Sequence, residues 1–274
     1  MVDRHAAMTK ASDGLHPVFA ASAAAAMQRL DEVLARHSRL ELEQEVSVGA
    51  DGTPTMWVDA LVEEAIVEVA LEHGVNVLSE EIGFIDRRSP YTLVVDPVDG
   101  SANAAANVPL ACFSAALAED ERFIQASTVW FATGQCWAGT ADGRVRTGGP
   151  WRTTGRTEIE GAAISLLRPH ARNRDAWWRV ADRAARIRIL SCSTLEAMLV
   201  LQGSTDAFAD AGSDTHRLVD LAAAAVMLPT VGGAVIDVLG RPIELDLDLT
   251  RRWSGVVAAT PQLAERLAEL ITVG

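Results

Sequence analysis

The stretch Val94-Val-Asp-Pro-Val-Asp-Gly-Ser-Ala-Asn103 concentrates more chemistry than any other part of the chain. Apolar residues lead into Asp96, and Pro97, Asp99, Gly100 and Ser101 follow. A strand that ends in Asp-Pro-x-Asp-Gly-Ser holds two carboxylates at a sharp turn. Such a turn aims both carboxylates and a backbone carbonyl at one point. Hard oxygen donors of that kind suit Mg²⁺ or Mn²⁺. Gly100 permits close backbone approach, and the amides after it suit an anion-binding turn. The same residues equally suit a turn that caps a helix, with Asp and Ser bonding only the backbone. The turn alone leaves both readings open.

Two further acidic features bear on that choice. Leu78-Ser-Glu-Glu-Ile82 sets two glutamates after an apolar strand, although adjacent glutamates on a loop are ordinarily solvated. His216-Arg-Leu-Val-Asp220 leads into the very apolar run 221–228. Asp220 suits a helix N-cap there, a role that does not exclude metal binding. Cys112, Cys136 and Cys192 are far apart in sequence, with no CxxC pair and no His at ligand spacing. That pattern disfavours zinc and redox-pair chemistry and points to buried thiols in a reducing compartment. His216 suits either a substrate contact or a partner at a helix start. Trp177-Trp178 reads as core packing plus one surface face, because no basic, aromatic-interleaved groove accompanies it.

Positioning these groups takes a sizeable core. The chain has 274 residues, 49% apolar and 22% charged, which fits one large soluble domain or two modest ones. Helical periodicity covers 16–39, with Phe19, Ala23, Met27, Leu30 and Leu34 on one side. Residues 49–55 form a turn, and a second amphipathic helix runs over 56–73 to Gly74. Strand runs at 75–78 and 93–95 precede an antiparallel meander over 112–139. After Pro150 strands and helices alternate to 271. The fold class is therefore α/β, with an α+β half at residues 1–150 carrying the acidic motifs. An α/β half at 151–274 contributes Asp220. A formal charge of −13 repels nucleic acid and anionic membranes, but not a small phosphorylated substrate whose site holds a cation. The polar stretch 1–13 has no signal-peptide core, and the Ala-rich 18–27 is too short to span a bilayer. The reading is cytoplasmic.

Taken together the motifs resemble the inositol monophosphatase superfamily of Mg²⁺-dependent, lithium-sensitive sugar phosphatases. The likeness is greatest to archaeal-type members acting on inositol monophosphate and fructose 1,6-bisphosphate. It rests on Asp51-Gly-Thr-Pro-Thr55, Ser79-Glu-Glu-Ile-Gly83, Asp96-Pro-Val-Asp-Gly-Ser-Ala-Asn103 and Asp220-Leu-Ala-Ala, followed by Gly232-Gly233, in the family's order and spacing. The resemblance implies a layered αβαβα fold, a homodimer, and Mg²⁺ (or Mn²⁺) as cofactor. It assigns Glu80, Asp96 and the Val98 carbonyl to a first, water-activating metal. Asp96, Asp99 and Asp220 fall to a second, and Glu80 with the phosphate to a third. Ser101, where the family usually has Thr, would orient the attacking water with Asp59. The amides of Gly100 and Ser101 would hold the phosphate, and Asn103 and Arg217 complete the expected substrate contacts. By itself Asp59 reads as a solvated helix residue, and only the resemblance promotes it.

The implied activity is hydrolysis of an inositol-, sugar- or nucleoside-type monophosphate. The alternatives are fructose-1,6-bisphosphatase, a 3′-phosphate nucleotidase, or a non-catalytic ligand-binding homologue. Ala50, Ser79, Ala104, Val219, Pro229 and Thr230 depart from the family pattern without removing a metal ligand. Asp214 falls near a position where the archaeal relatives carry Lys. A carboxylate there would repel a second phosphate, so the sequence favours a monophosphate over a bisphosphate. Arg168 and Arg172 are alternative sources of the missing positive charge.

Overall fold

The computed structural model describes residues 14–273, so the polar N-terminal stretch read above lies outside the described residues. Helix α1 (Val18–Arg36) is followed by the hairpin β1 (Glu45–Val48) and β2 (Pro54–Met56), and by helix α2 (Trp57–Glu72). Strands β3 (Asn76–Ser79), β4 (Gly83–Ile85) and β5 (Tyr91–Asp99) come next, then the short helix α3 (Ser101–Ala105). The meander comprises β6 (Cys112–Glu119), β7 (Arg122–Trp130), β8 (Gln135–Thr140) and β9 (Arg146–Thr147). Beyond it lie β10 (Ala163–Leu166), α4 (Arg174–Arg183), β11 (Arg186–Arg188), α5 (Ser193–Leu201) and β12 (Ala207–Ala209). The chain continues with α6 (Leu218–Met227), β13 (Ala234–Asp237), β14 (Gly255–Ala258) and α7 (Pro261–Thr272).

A seven-stranded sheet runs β4-β3-β5-β6-β7-β8-β9, and a five-stranded sheet runs β11-β10-β12-β14-β13. In the first, β3 is parallel to β5, a crossover that the antiparallel expectation for this half lacked. The crossover is needed because Glu80 and Asp96 must leave the same edge of neighbouring strands. In the second, β10 is parallel to β11 and β12, while β14 runs antiparallel to β12 and β13.

Alternation along the strands explains the layering. Leu93 and Val95 of β5 join Phe19, Met27, Val62 and Ile66 in a core beneath α1 and α2. Val94, pointing the other way, joins Leu195, Leu221 and Phe208 in a core that contains α5 and α6. Helix α6 is apolar on every side because it is buried between the two sheets. The far face of the second sheet packs Ile164, Ala209 and Val256 against Trp177, Val180, Leu263 and Leu267 of α4 and α7. The resulting order is the αβαβα sandwich that the resemblance implies. Trp177 is buried and Trp178 is exposed, as expected of that pair.

One buried acid in the middle layer has no metal-ligating position. Glu196 of α5 is fully buried, and its Oε1 accepts from the Leu190 backbone N–H at 3.1 Å. Burial pushes its pKa from 4.5 up to about 8. Stability is therefore full below the unfolded value and is lost as pH rises through the folded one. Glu196→Gln should abolish that part of the slope. Its melting temperature should fall less than that of the wild type between about pH 5 and pH 8. Parallel pH profiles for the two proteins would show that Glu196 ionises normally.

Candidate active site

Asp96 and Asp99 lie inside β5 rather than after it, because the strand runs on past the expected end at 95. Pairing with β6 slips between them: Asp96 faces Ser114, while Asp99 faces Cys112. Residues three apart on a regular strand point to opposite faces. The slip is a bulge that brings the two carboxylates to one side, and Pro97 sits where no ladder N–H is required. Asp220 occupies the first turn of α6 and caps it by accepting from the Arg217 backbone N–H at 2.6 Å. Carboxylate oxygens of Asp96, Asp99 and Asp220 lie within 4.8 Å of one another. Glu80 leaves the end of β3 and meets the Arg217 guanidinium.

The electrostatics of this cluster are costly. Burial, then the charge of Glu80, then that of Asp99 hold Asp96 well above the usual carboxylate range. Burial and Asp220 raise Asp99, which Thr194 partly relieves by donating its hydroxyl at 2.7 Å. Burial also drives Glu80 well up, against the pull of Arg217. Burial opposes ionisation of Asp220 as well, but Arg217 outweighs it and keeps that group below its ordinary value. Asp96 accepts from the Val98 N–H through Oδ1, while its Oδ2 is buried without a hydrogen-bond partner. Clustered, desolvated carboxylates with an orphaned oxygen call for a cation, and an all-oxygen donor set selects a hard one. The residues present therefore fit a divalent metal.

Gly100 links this cluster to the proposed phosphate turn. Its φ of +87° is left-handed, and an added Cβ would lie 2.7 Å from the Leu110 carbonyl oxygen. The Ser101 hydroxyl donates to the Val98 carbonyl at 3.1 Å. Asp59 is buried rather than solvated. Burial pushes its pKa to about 8, and a hydrogen-bonding contact with Ser101 works the other way. Asp99, Gly100, Ser101, Arg217 and Asp220 line a cavity of about 530 Å³. Arg168, His170, Arg172, Asp214 and His216 line it as well. Asp59, Glu80 and Asp96 are absent from that lining and lie behind it.

Some expectations change. Asn103 is not a cavity residue: its amide donates to the carbonyls of Leu110 and Leu190, each at 2.9 Å, and ties α3 to the second half. His216 is buried, accepts from the Gly255 N–H at 3.1 Å and packs against Phe208 beside the start of α6, and it also lines the cavity, so both roles read for it stay open. Asp214 is paired with Arg241 at 2.6 Å and accepts from the Ser254 hydroxyl at 2.9 Å. Arg241 also pairs with Asp237 at 2.7 Å, so one guanidinium is shared by two carboxylates and offsets the Asp214 charge only in part.

Several participants were given no role by the sequence, although Asp51 heads one of the motifs quoted above. Asp51 is buried against Arg217 and Arg252. Glu63 accepts the Glu81 and Ile82 N–H groups, each at 3.1 Å, and so fixes the loop carrying Glu80. Cys112 and Cys192, far apart in sequence, lie with sulfurs 3.5 Å apart beside Asp99. Burial holds the Cys192 thiol well up, so it stays a thiol and donates to the Asp99 carbonyl at 3.3 Å.

The sequence profile of the Inositol monophosphatase family matches residues 15–272. The chain belongs to the inositol monophosphatase family. A fructose-1,6-bisphosphatase/inositol-1-monophosphatase from Methanothermobacter thermautotrophicus is 32% identical over 83% of this chain and 87% of its own length. A protein of the same description from Thermococcus kodakarensis is 27% identical over 82% of this chain and 86% of its own. Among solved structures, an inositol monophosphatase-fructose 1,6-bisphosphatase superposes with a TM-score of 0.78 at 24% identity. That superposition covers 90% of this chain and 96% of the other and speaks to the fold.

Within this family assignment, the departures from pattern fall outside the carboxylate cluster. Val219 and Ala104 are buried in the apolar cores. Ser101 is the exchange closest to the chemistry. If its hydroxyl serves water, Ser101→Ala should lower kcat and Ser101→Thr should retain it, with metal affinity unchanged in both. If the hydroxyl only closes the turn onto Val98, Ser101→Ala should instead lose about 1 kcal/mol of stability at unchanged kcat. Steady-state kinetics and denaturant unfolding of the two variants separate these outcomes.

Proposed function

We propose that this protein is a Mg²⁺-dependent phosphomonoesterase acting on a small phosphorylated metabolite of inositol, sugar or nucleoside type. The observation that carries this reading is the buried Asp96–Asp99–Asp220 cluster, with oxygens within 4.8 Å, two of whose members, Asp99 and Asp220, line a cavity sized for such a ligand. Asp96, Asp99 and Asp220 would hold one cation, and Glu80, Asp96 and the Val98 carbonyl another. Bound there, such ions acidify water and neutralise phosphate charge.

The chain's own residues do the rest. Gly100 and Ser101 form the cavity wall where the phosphate would be seated. Asp59, buried beside Ser101, would in its ionised form accept the proton that the Ser101 hydroxyl relays from the attacking water; burial holds its pKa at about 8, so this role gains as pH rises toward that value. Arg217 faces the same cavity and supplies a planar, permanently charged fork for phosphate oxygens. A homodimer in the cytoplasm, without nucleic-acid or membrane partners, completes the reading. Among the described residues no helix is long and apolar enough to cross a membrane.

A second reading, hydrolysis of a bisphosphate such as fructose 1,6-bisphosphate, gains from the cavity lining. Arg168 and Arg172 line the wall and, among the described residues, form no ion pair, so both could meet a second phosphate. Arg241, shared between Asp214 and Asp237, offsets part of the repulsion expected from Asp214.

The test is phosphate release from a panel of inositol, sugar and nucleoside monophosphates and fructose 1,6-bisphosphate, with and without Mg²⁺. Activity should require the cation. Asp96→Asn, which keeps size and loses charge, should reduce it by about 100-fold or more. Near-normal turnover by a folded Asp96→Asn protein would refute the assignment.

A further inference from the structure

Folding brings two of the three cysteines together. Cys112 opens β6 and Cys192 precedes α5, 80 residues further on, yet their sulfurs stand 3.5 Å apart and both side chains are buried. Both are free thiols. A carboxylate oxygen of Asp99 lies within 4.8 Å of both sulfurs. The Thr194 hydroxyl closes the group, 2.8 Å from the Cys112 sulfur and 2.7 Å from Asp99 Oδ2. Asp99 is also a member of the Asp96–Asp99–Asp220 cluster, so one side chain belongs to two donor sets.

We propose that Cys112, Cys192 and Asp99 form a second cation site, for a thiophilic divalent ion such as Zn²⁺ or Cd²⁺, whose filling silences the carboxylate cluster. Two sulfurs and one carboxylate select a softer ion than the all-oxygen set beside them. The spacing fits. Zn–S bonds of about 2.3 Å at tetrahedral angles put two sulfurs about 3.8 Å apart, so the pair need open by only a few tenths of an ångström. The Thr194 hydroxyl stands where a fourth donor is wanted. Asp99, Ser191 and Ser193 line the cavity around Cys192, which gives the ion its path inward. On binding, each sulfur forms a bond to the metal as a thiolate and two protons leave to solvent. No electrons move, and coordination itself strips the protons from the thiols. The silencing rests on the metal-centre reading given above. A cation drawn onto the sulfurs takes the Asp99 carboxylate with it and adds like charge beside the hard-ion position, so each site weakens the other.

The test is Cd²⁺ titration of the reduced full chain, read by the ultraviolet cadmium–thiolate charge-transfer band, which carboxylate-bound Cd²⁺ does not give. Wild type should develop the band up to one equivalent. Cys112→Ala and Cys192→Ala should each lose it or bind at least about 100-fold more weakly. Cys136→Ala, which changes the remaining cysteine, should match wild type. Cys112→Ala decides the matter should Cys192→Ala fail to fold, because the Cys192 thiol alone of the two bonds the backbone, at the Asp99 carbonyl. Saturating Mg²⁺ should weaken the wild-type titration about tenfold. In Mg²⁺-dependent phosphate release, Cd²⁺ should inhibit wild type at concentrations at least about tenfold below those needed for Cys112→Ala, whose uninhibited rate stays near that of wild type. No band in wild type, or an equal band in Cys112→Ala, overturns the site. A band indifferent to Mg²⁺, with equal inhibition of the two proteins, overturns the silencing and leaves the carboxylate centre standing. Absence of turnover with every substrate overturns the phosphatase reading instead, and the band and its response to Mg²⁺ still decide this proposal.

Discussion

Like-charge repulsion inside a desolvated pocket is the constraint around which this molecule is built. Asp96, Asp99 and Asp220 converge at the junction of a strand and a helix, with Glu80 and Asp51 close behind. Each carboxylate, taken alone, loses water on folding, and each neighbour makes ionisation harder. Arg217 answers part of that charge, touching Glu80, Asp51 and Asp220. It forms no hydrogen bond with Asp96, and the unpartnered Oδ2 of Asp96 is the clearest sign of what the site lacks in protein groups. A cluster of this kind persists in a stable fold when a cation completes it.

The architecture serves that convergence. The parallel pair β3/β5 delivers Glu80 and Asp96 to one edge, and the bulge in β5 turns Asp99 to the same side. Helix α6 brings Asp220 from the second half while its apolar surface fills the space between the sheets. Asn103 and Thr194 fasten the two halves across the site, one by bonding carbonyls beyond the turn and the other by bonding Asp99. The groups that do chemistry are therefore held by strand, helix and cross-half hydrogen bonds rather than by loops alone.

Much of this was legible in the sequence, and for identifiable reasons. Long periodic elements such as α1, α2 and α7 follow from apolar spacing, and the Asp-Pro-x-Asp-Gly-Ser run marks a turn with two carboxylates, while the choice between a metal site and a capping turn came from the resemblance. The layered order came from resemblance, since alternation alone does not say which sheet face a helix covers. What escaped depends on contacts between distant residues. No spacing rule reveals that Asp51 meets Arg217 and Arg252, that Arg241 pairs with Asp214, or that Cys112 and Cys192 become neighbours. The structural bonds of Asn103 escaped for a similar reason: its amide donates to carbonyls 87 and 88 residues away, which its place in the motif does not show.

The central claim is that the buried carboxylates form a cation site and not merely a strained acidic core. Crystals grown with saturating Mn²⁺ and measured at the manganese edge test it most directly. The account predicts an anomalous peak in contact with Asp96, Asp99 and Asp220 together, with Asp96 Oδ2 among the ligands. Density without such a peak, and those carboxyl groups hydrogen-bonded to one another instead, would contradict it.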